Sequence, residues 1–326
     1  MLPLGGTARS AKGAPLIARH LAVRSPRGAY VALAVLTAIW GTNWIAMKLA
    51  LASAHPIVFN IHRTLVAIAV LFAVLVVRRR RLLPESWAAV AVTGLFQTTI
   101  NMGATTMALE GGGVGRTAVL VFTMPFWTLL LAWPVLGERV RGSQWLAIAL
   151  AFVGLVLVVE PWQWEGALKP RMWAVLSGFG WAAGTIAMKH FQRVRGFDML
   201  NFVAWQMLIG VLPLCLLPLA VPLPDVQWSA TYALLLLWTG ALASAFGFVL
   251  WIGVLRFLTA GTASLNMLAI PVIALLSSML VFGERLAPGE WAGIGCIGAG
   301  LGIISLRAWL AARRGERPMP VPLEGG

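Results

Sequence analysis

The chain has 326 residues, of which 60% are hydrophobic and only 11% are charged. A typical soluble domain carries roughly 25% charged residues, and one soluble core cannot bury this much apolar surface. The formal net charge of +14 comes from basic residues in short gaps between apolar runs. That distribution is typical of cytoplasmic loops and not of a nucleic-acid-binding face. The composition therefore argues against a soluble domain or a nucleic-acid partner and predicts a polytopic protein in a lipid bilayer.

The predicted elements begin after a tail. Residues 1–29 contain Arg19, His20, Arg24 and Arg27, which interrupt any apolar run of the kind a signal peptide needs. We expect a cytoplasmic N-terminal tail there. A helix needs about 20 residues to cross a bilayer, and ten apolar segments of roughly that length follow. They predict transmembrane helices at 30–50, 57–77, 87–108, 114–135, 143–160, 172–190, 199–220, 230–254, 260–282 and 290–309.

The distribution of basic residues predicts the orientation of these helices. With the N-terminus in the cytoplasm, 19 of the 25 Lys and Arg residues fall in cytoplasmic tails and loops, whereas four fall in external loops. Lys48 and Arg63 lie within helices. Because Lys and Arg are enriched on the cytoplasmic side of membrane proteins, both termini are predicted to be cytoplasmic.

An internal repeat divides the chain. A shift of 146 residues aligns Gly94 with Gly240, Pro125 with Pro271, and Gly283-Glu284-Arg285 with the Gly-Glu-Arg at 137–139. The predicted domains are a first repeat at 30–160, a linker at 161–171, a second repeat at 172–309 and a cytoplasmic tail at 310–326. Each half has five helices, so the second half must enter the membrane inverted. Inverted repeats are common in secondary transporters that work by alternating access. A duplicated bundle without transport is the alternative.

The first repeat contains Trp40-Gly41-Thr42-Asn43 followed by Lys48, and the second contains the run 260–264, then Pro271, Gly283-Glu284-Arg285 and Trp291. In this pattern, repeated over about 30–308, the chain resembles the EamA family of the drug/metabolite transporter superfamily. The resemblance implies a ten-helix exporter or facilitator of small metabolites in a bacterial inner membrane. Exporters of aromatic amino acids of the YddG type are the most similar class. It also implies a central cavity lined by helices 1–4 and 6–9, with helices 5 and 10 at the periphery.

Polar groups inside a membrane are candidate binding residues. Gln97, Asn101 and Thr105 are spaced i, i+4, i+8, which places them on one face of a regular helix. Such a stripe suits the charged end of a zwitterion. Hydrogen bonding between neighbouring helices is the alternative, at roughly 0.6 kcal/mol per bond.

Arg63 in the second helix is a candidate for bidentate binding of a substrate carboxylate, with a gate or a snorkelling side chain as the alternative. The neighbouring His62 titrates near neutral pH when unperturbed, although a packed histidine is the commoner case. Gln206 takes the place of Arg63 in the second half. A basic residue at this position is therefore found in the first repeat but not in the second.

Several further residues are candidates by depth or symmetry. Deep tryptophans and polar groups are candidates for the cavity wall, with helix packing as the alternative; they are Trp40, Trp181, Trp251, Asn43, Ser244 and Asn266. The repeat-related Pro125 and Pro271 predict kinks and hinges.

Lys48 and Lys189 end their helices at symmetric places, as snorkelling anchors or as a pair of gate residues. Glu138 and Glu284 are interpreted as helix caps or loop ion pairs.

The remaining chemistry is sparse. Asp and Glu are missing from the depths of the predicted spans, so proton or sodium coupling is disfavoured and facilitated diffusion is favoured. The four histidines do not cluster and the two cysteines have no metal-site spacing, which predicts neither an enzyme nor a cofactor. The predicted substrate is a neutral or aromatic amino acid. A nucleotide sugar, another metabolite or drug, or a scaffold without transport is the alternative. The glycines of the tenth helix allow close packing, including a homodimer contact.

Overall fold

The computed structural model describes residues 25–137, 139–140, 142–160, 168–194, 197–255 and 269–313. These residues form ten helical spans, α1 to α10, which confirms an all-helical polytopic membrane fold. Six of the described helices are long and apolar enough to cross a membrane, and two shorter apolar helices accompany them. The spans are α1 Pro26–Ala50, α2 Pro56–Val77, α3 Trp87–Gly111, α4 Val114–Val121 with Met124–Leu136, α5 Ser143–Val159, α6 Leu168–Val194, α7 Met199–Ala220, α8 Ala230–Leu255, α9 Ala269–Phe282 and α10 Pro288–Arg313.

Short polar residues begin several of these helices where the sequence changes from loop to apolar run. The Ser25, Ser86 and Ser229 hydroxyls each accept a hydrogen bond from a backbone N–H in the first turn. Asp198 caps α7 in the same way. Such caps satisfy donors that a helix leaves unpaired, so the helix starts are set locally.

Two spans contain a π-helical segment that regular periodicity does not predict. Leu95–Met102 is π-helical within α3, and Leu237–Phe246 is π-helical within α8. The two segments overlap under the repeat shift. A π turn has more residues than an α turn, and Gln97 and Asn101 lie in the π segment of α3 whereas Thr105 follows it. All three side chains contact α6.

Glycines bring repeat-related helices into close contact. A side chain at Gly94 of α3 would collide with the Gln206 carbonyl oxygen of α7, and one at Gly240 of α8 would lie 2.5 Å from the Arg63 carbonyl oxygen of α2. The same pair of positions thus meets in both halves, and this supports the equivalence of Arg63 and Gln206. In a membrane, such small residues let backbones approach and pack by van der Waals contact.

The helices α5 and α10 form a pair of their own. Gly154 and Gly293 face each other so closely that a side chain at Gly154 would lie 2.5 Å from the Gly293 carbonyl oxygen. By contrast, Gly295, Gly298 and Gly302 of α10 have open space beside them. The glycines of α10 therefore serve two different faces, of which one packs on α5.

Polar contacts tie together each end of the bundle. We call the end at which α1 finishes the Lys48 end, where the Gln227 N–H donates to the Ser53 carbonyl at 2.8 Å. We call the opposite end the Arg80 end, where Arg80 and Asp198 form an ion pair at 3.4 Å and the Asn201 side chain donates to the Arg81 carbonyl at 2.6 Å. The sequence predicts that the Lys48 end is external.

Candidate functional site

A cavity of about 140 Å³ lies near the middle of the helices. In the described part of the chain its wall comes from α1–α4, α6, α8 and α9, so the expected contribution of α7 is not found. Neither α5 nor α10 adds a described residue to the wall, which agrees with their peripheral packing. The wall residues are Trp40, Asn43, Trp44, Met47, Arg63, Asn101, Met102, Thr105, Val121, Phe122, Met124, Trp181, Ala243, Ser244, Phe248 and Ile270.

Most of this wall is apolar and aromatic, and Trp40 is held in place within it. Its indole Nε1 donates to the Ala243 carbonyl in the π segment of α8 at 2.9 Å. The Phe248 ring meets the indole edge-on with 6.2 Å between centroids. Gly247 lies beside the indole nitrogen, and a side chain there would occupy the same space. The π segment and its glycine therefore give α1 a rigid aromatic surface toward the cavity.

Arg63 is the one cation in the described wall, and it is 5% exposed. Its Nε donates to Asn60 Oδ1 at 3.0 Å, and one terminal nitrogen donates to the Met47 sulfur at 2.7 Å. The Phe59 ring lies 5.9 Å from the guanidinium carbon. The ion pairs found among the described residues do not include Arg63. A buried cation without a counterion is costly, so this guanidinium is suited to an anionic ligand.

A hydrogen-bonded polar group joins α3 to α6 at the cavity. The Asn101 side chain donates to the Ser177 carbonyl and hydroxyl, both at 2.9 Å. The Ser177 hydroxyl lies 2.6 Å from that of Thr105. Gly180 and Gly184 allow α6 to approach the π segment of α3 closely. Asn101 and Thr105 are thus cavity residues whose orientation α6 determines.

Asn43 presents an acceptor without a donor. Its Oδ1 is buried and has no hydrogen-bond partner among the described residues, and Asn43 belongs to the cavity wall. Ser244 differs, because its hydroxyl donates to the Thr239 carbonyl at 2.8 Å. A buried acceptor that lacks a donor favours a ligand that brings one.

Four predicted site residues lie outside the wall. Gln97 donates to the Thr185 hydroxyl of α6 at 3.3 Å, and His62 lies 3.1 Å from the Tyr232 hydroxyl. The Gln206 side chain is buried, and its Oε1 has no hydrogen-bond partner among the described residues. Trp251 packs beside Trp40 with 6.3 Å between ring centroids. Contacts between helices account for Gln97, His62 and Trp251.

The other predicted site residues have mixed outcomes. Asn266 lies outside the described residues, as does Glu138. The α4 span is interrupted at Phe122 and Thr123. Pro125 lies in the first turn of the segment that follows, where its missing backbone N–H is tolerated. Pro271 is the third described residue of α9. That either proline works as a hinge stays a prediction.

Sequence reasoning missed the apolar part of the wall. Met47 follows Trp40, Asn43 and the deep Trp44 on one face of α1, a spacing that could have been used to find it. Phe122, Phe248 and Ile270 carry no distinguishing signal, because apolar residues in a membrane helix face lipid and protein alike.

Lys48 and Lys189 occupy different environments despite their symmetry. The Lys48 ammonium donates to the carbonyls of Leu109, Glu110 and Gly112, the last two at 3.0 and 3.1 Å. It therefore caps the C-terminus of α3, while its role as a snorkelling anchor or a gate residue stays a prediction. Lys189 is exposed.

A charged cluster surrounds Lys48 at the same end. The Glu284 carboxylate accepts from the backbone N–H groups of Gly115 and Arg116 at 2.9 and 3.3 Å, which confirms it as a cap of α4. Glu290, 1% exposed, pairs with Arg116 and lies 3.6 Å from Arg171, which also pairs with Glu160 at 3.1 Å. These contacts join α4, α5, α6 and α10 at this end of the bundle.

The repeated sequence and the fold are also found in known proteins. The model of the EamA-like transporter family matches residues 28–160 and again 168–306. The chain is 24% identical to an uncharacterized transporter of Bacillus subtilis, over 77% of this chain and 87% of that protein. It is 28% identical to a probable amino-acid metabolite efflux pump of Salmonella typhimurium, over 85% and 94%. A crystal structure 19% identical in sequence matches 88% of this chain and 99% of its own with a TM-score of 0.63, which shows a common fold.

Proposed function

The chain belongs to the EamA-like transporter family, and on that premise we propose that it carries neutral amino acids with apolar or aromatic side chains across a bacterial inner membrane. It is a multi-pass membrane transporter with its termini in the cytoplasm, and it works by alternating access as a facilitator without ion coupling. The name of the similar Salmonella protein, a probable amino-acid metabolite efflux pump, supports this substrate class.

The observation that carries the proposal is the buried Arg63 guanidinium without a counterion in the described cavity wall. A substrate carboxylate supplies the missing charge and can accept two N–H bonds. The buried Asn43 Oδ1 is suited to accept a bond from the substrate ammonium group. One donor group and one acceptor in the same wall match the two ends of a zwitterion.

The rest of the wall favours an apolar side chain of limited size. Trp40, Trp44, Trp181, Phe122 and Phe248 supply aromatic surface. The volume of about 140 Å³ is close to that of an engineered ~150 Å³ cavity that binds benzene, and below the ~300–1,000 Å³ of sites for drug-sized ligands. Because a diphosphate requires several basic groups, the single cation of the described wall disfavours a nucleotide sugar.

The charged cluster at the Lys48 end supports alternating access. It joins helices from both repeats at the Lys48 end of the bundle, through Glu284 with α4 and Glu290 with Arg116 and Arg171. Breaking these contacts opens the external side, and the inverted repeat makes an equivalent closure at the other side geometrically possible.

Reconstitution tests the proposal. Purified protein is placed in liposomes without an ion gradient, and uptake of labelled Phe, Trp, Met, Leu and Thr is measured beside a UDP-sugar. We expect saturable uptake of amino acids that stops at equilibrium, and none of the UDP-sugar. No saturable amino-acid flux, with or without an imposed proton gradient, overturns the substrate class. Absence of flux for every metabolite in a wider panel favours a scaffold.

A further inference from the structure

Asn60 lies one helical turn before Arg63 on α2 and is 0% exposed. Its Oδ1 accepts the Nε–H of Arg63 at 3.0 Å. Because a guanidinium only donates, the atom facing it must be the amide oxygen. The Nδ2 amide nitrogen, in turn, is buried and has no partner among the described residues. Asn60 therefore holds Arg63 while one of its own donors stays unsatisfied.

An aspartate would resolve that conflict in structural terms. It has the same shape, accepts the same Nε–H bond, replaces the unsatisfied N–H by a second acceptor and pairs with the guanidinium as an ion. An unsatisfied buried donor costs about 1–3 kcal/mol. Asp would thus satisfy the hydrogen bonding of this position, whereas the neutral amide has one consequence that Asp lacks. It leaves the charge of Arg63 uncompensated.

The other described contacts of Arg63 are also neutral. The Met47 sulfur is a weak acceptor, and the Phe59 ring offers a cation–π contact at 5.9 Å. The guanidinium is therefore oriented from three sides by groups that carry no formal charge, at the wall of an otherwise aromatic cavity.

We propose that Asn60 determines the charge preference of the cavity. It positions Arg63 without neutralising it, so that the cavity selects substrates with a carboxylate over the corresponding amines. This inference deepens the proposed function and rests on it for the substrate, but its test includes a readout that does not require transport.

The test compares N60D with the wild type in liposomes, using labelled phenylalanine and phenethylamine, which is the same molecule without its carboxylate. We expect the KM for phenylalanine to rise about tenfold or more in N60D, the size of a lost hydrogen bond to a charged group. The Vmax changes less, and the uptake ratio shifts toward phenethylamine. Unchanged KM and ratio in folded N60D overturn the proposal.

Gln206→Glu is the matched control. It makes the same change of amide to carboxylate on α7, at the position that corresponds to Arg63 in the other repeat, and it is buried but outside the described cavity wall. We expect it to leave the KM and the substrate ratio unchanged. An equal shift in both variants overturns a specific role for Asn60, because it attributes the effect to a buried acid in general.

A second variant covers a failure of N60D to fold, as judged by gel filtration and thermal melting. Asn60→Leu removes the anchor but leaves the charge of Arg63 free. We expect a higher KM for phenylalanine with the preference over phenethylamine retained, whereas an unchanged KM overturns the proposal.

A binding measurement separates this inference from the transport proposal. If the wild type carries no amino acid, thermal stabilisation by phenylacetate is measured in the wild type and N60D. Stabilisation of the wild type alone supports the role of Asn60 although the transport proposal has failed. If phenylacetate stabilises neither protein, or both equally, the proposed role of Asn60 is overturned.

Discussion

At the scale of single residues, the site depends on polar groups whose usual partners are missing. Arg63 lacks a carboxylate and Asn43 Oδ1 lacks a donor among the described residues. Both belong to the cavity wall. Unsatisfied buried groups destabilise a fold, so their presence together in one cavity favours a binding role over a structural one.

The first prediction concerns Arg63. Arg63→Gln installs the residue of the other half, and we expect the KM for amino-acid uptake to rise about 10- to 100-fold because the charged hydrogen bonds to the carboxylate are lost. Arg63→Lys keeps the positive charge but lacks the planar guanidinium, so we expect its KM to lie between those of the wild type and Arg63→Gln. Uptake kinetics in liposomes give the result. Equal affinities in all three proteins would exclude direct carboxylate binding.

The second prediction separates a site residue from a packing residue on the same helix. Asn101 and Gln97 each bond from α3 to α6, but of the two only Asn101 belongs to the cavity wall. We expect Asn101→Leu to lose transport while the protein stays folded, whereas Gln97→Leu stays active. Each variant loses roughly 0.6 kcal/mol per interhelical bond. Equal activity in the two variants, measured at equal folded amounts, would contradict a binding role for Asn101.

At the scale of elements, the π segments and the glycine contacts decide which side chains reach the cavity. The spacing of Gln97, Asn101 and Thr105 predicts a shared helix face, and all three contact α6, but Gln97 lies outside the described cavity wall. The sequence could not predict that Gln97 lies outside the wall, because a π-helical segment and an α-helix give similar hydrophobic patterns.

The third prediction tests the contact between α8 and α2. Gly240→Ala places a methyl group 2.5 Å from the Arg63 carbonyl oxygen, so the helices must separate, at about 1–3 kcal/mol. We expect a lower melting temperature and impaired uptake. Gly295→Ala is the control, because that glycine has open space beside it and alanine is the better helix former. The same loss of stability in both variants would show that the contact is not tight.

At the scale of the whole molecule, contacts at the Lys48 end link the two repeats. Lys48 caps α3 and Glu284 caps α4, so α1 and the segment after α9 both hold helix ends beside the cavity. Interactions of charges with helix termini are short-ranged. A small separation of these helices therefore releases both caps, and this suits a gate.

The fourth prediction tests this closure by accessibility. Cys215 and Cys296 are replaced by alanine, and Thr105→Cys places a thiol in the cavity wall. In intact spheroplasts we expect Lys48→Met to accelerate labelling by a membrane-impermeant maleimide, because the caps of α3 are lost. Lys189→Met, the symmetric control, should not accelerate it. Equal rates in all backgrounds would mean that Lys48 does not keep the external side closed.

The sequence by itself determined the membrane fold, the inverted repeat and the family. These properties depend on the length of apolar runs and on linear spacing, both of which are visible along the chain. It also pointed to Arg63, Asn43 and Asn101. Only the tertiary structure decided which faces meet the cavity, that His62, Gln206 and Trp251 pack elsewhere, and that Asn60 leaves Arg63 without a counterion. The reason is physical: in an apolar helix nearly every residue is hydrophobic, so helix rotation depends on π turns, glycine contacts and a few polar bonds between helices distant in sequence.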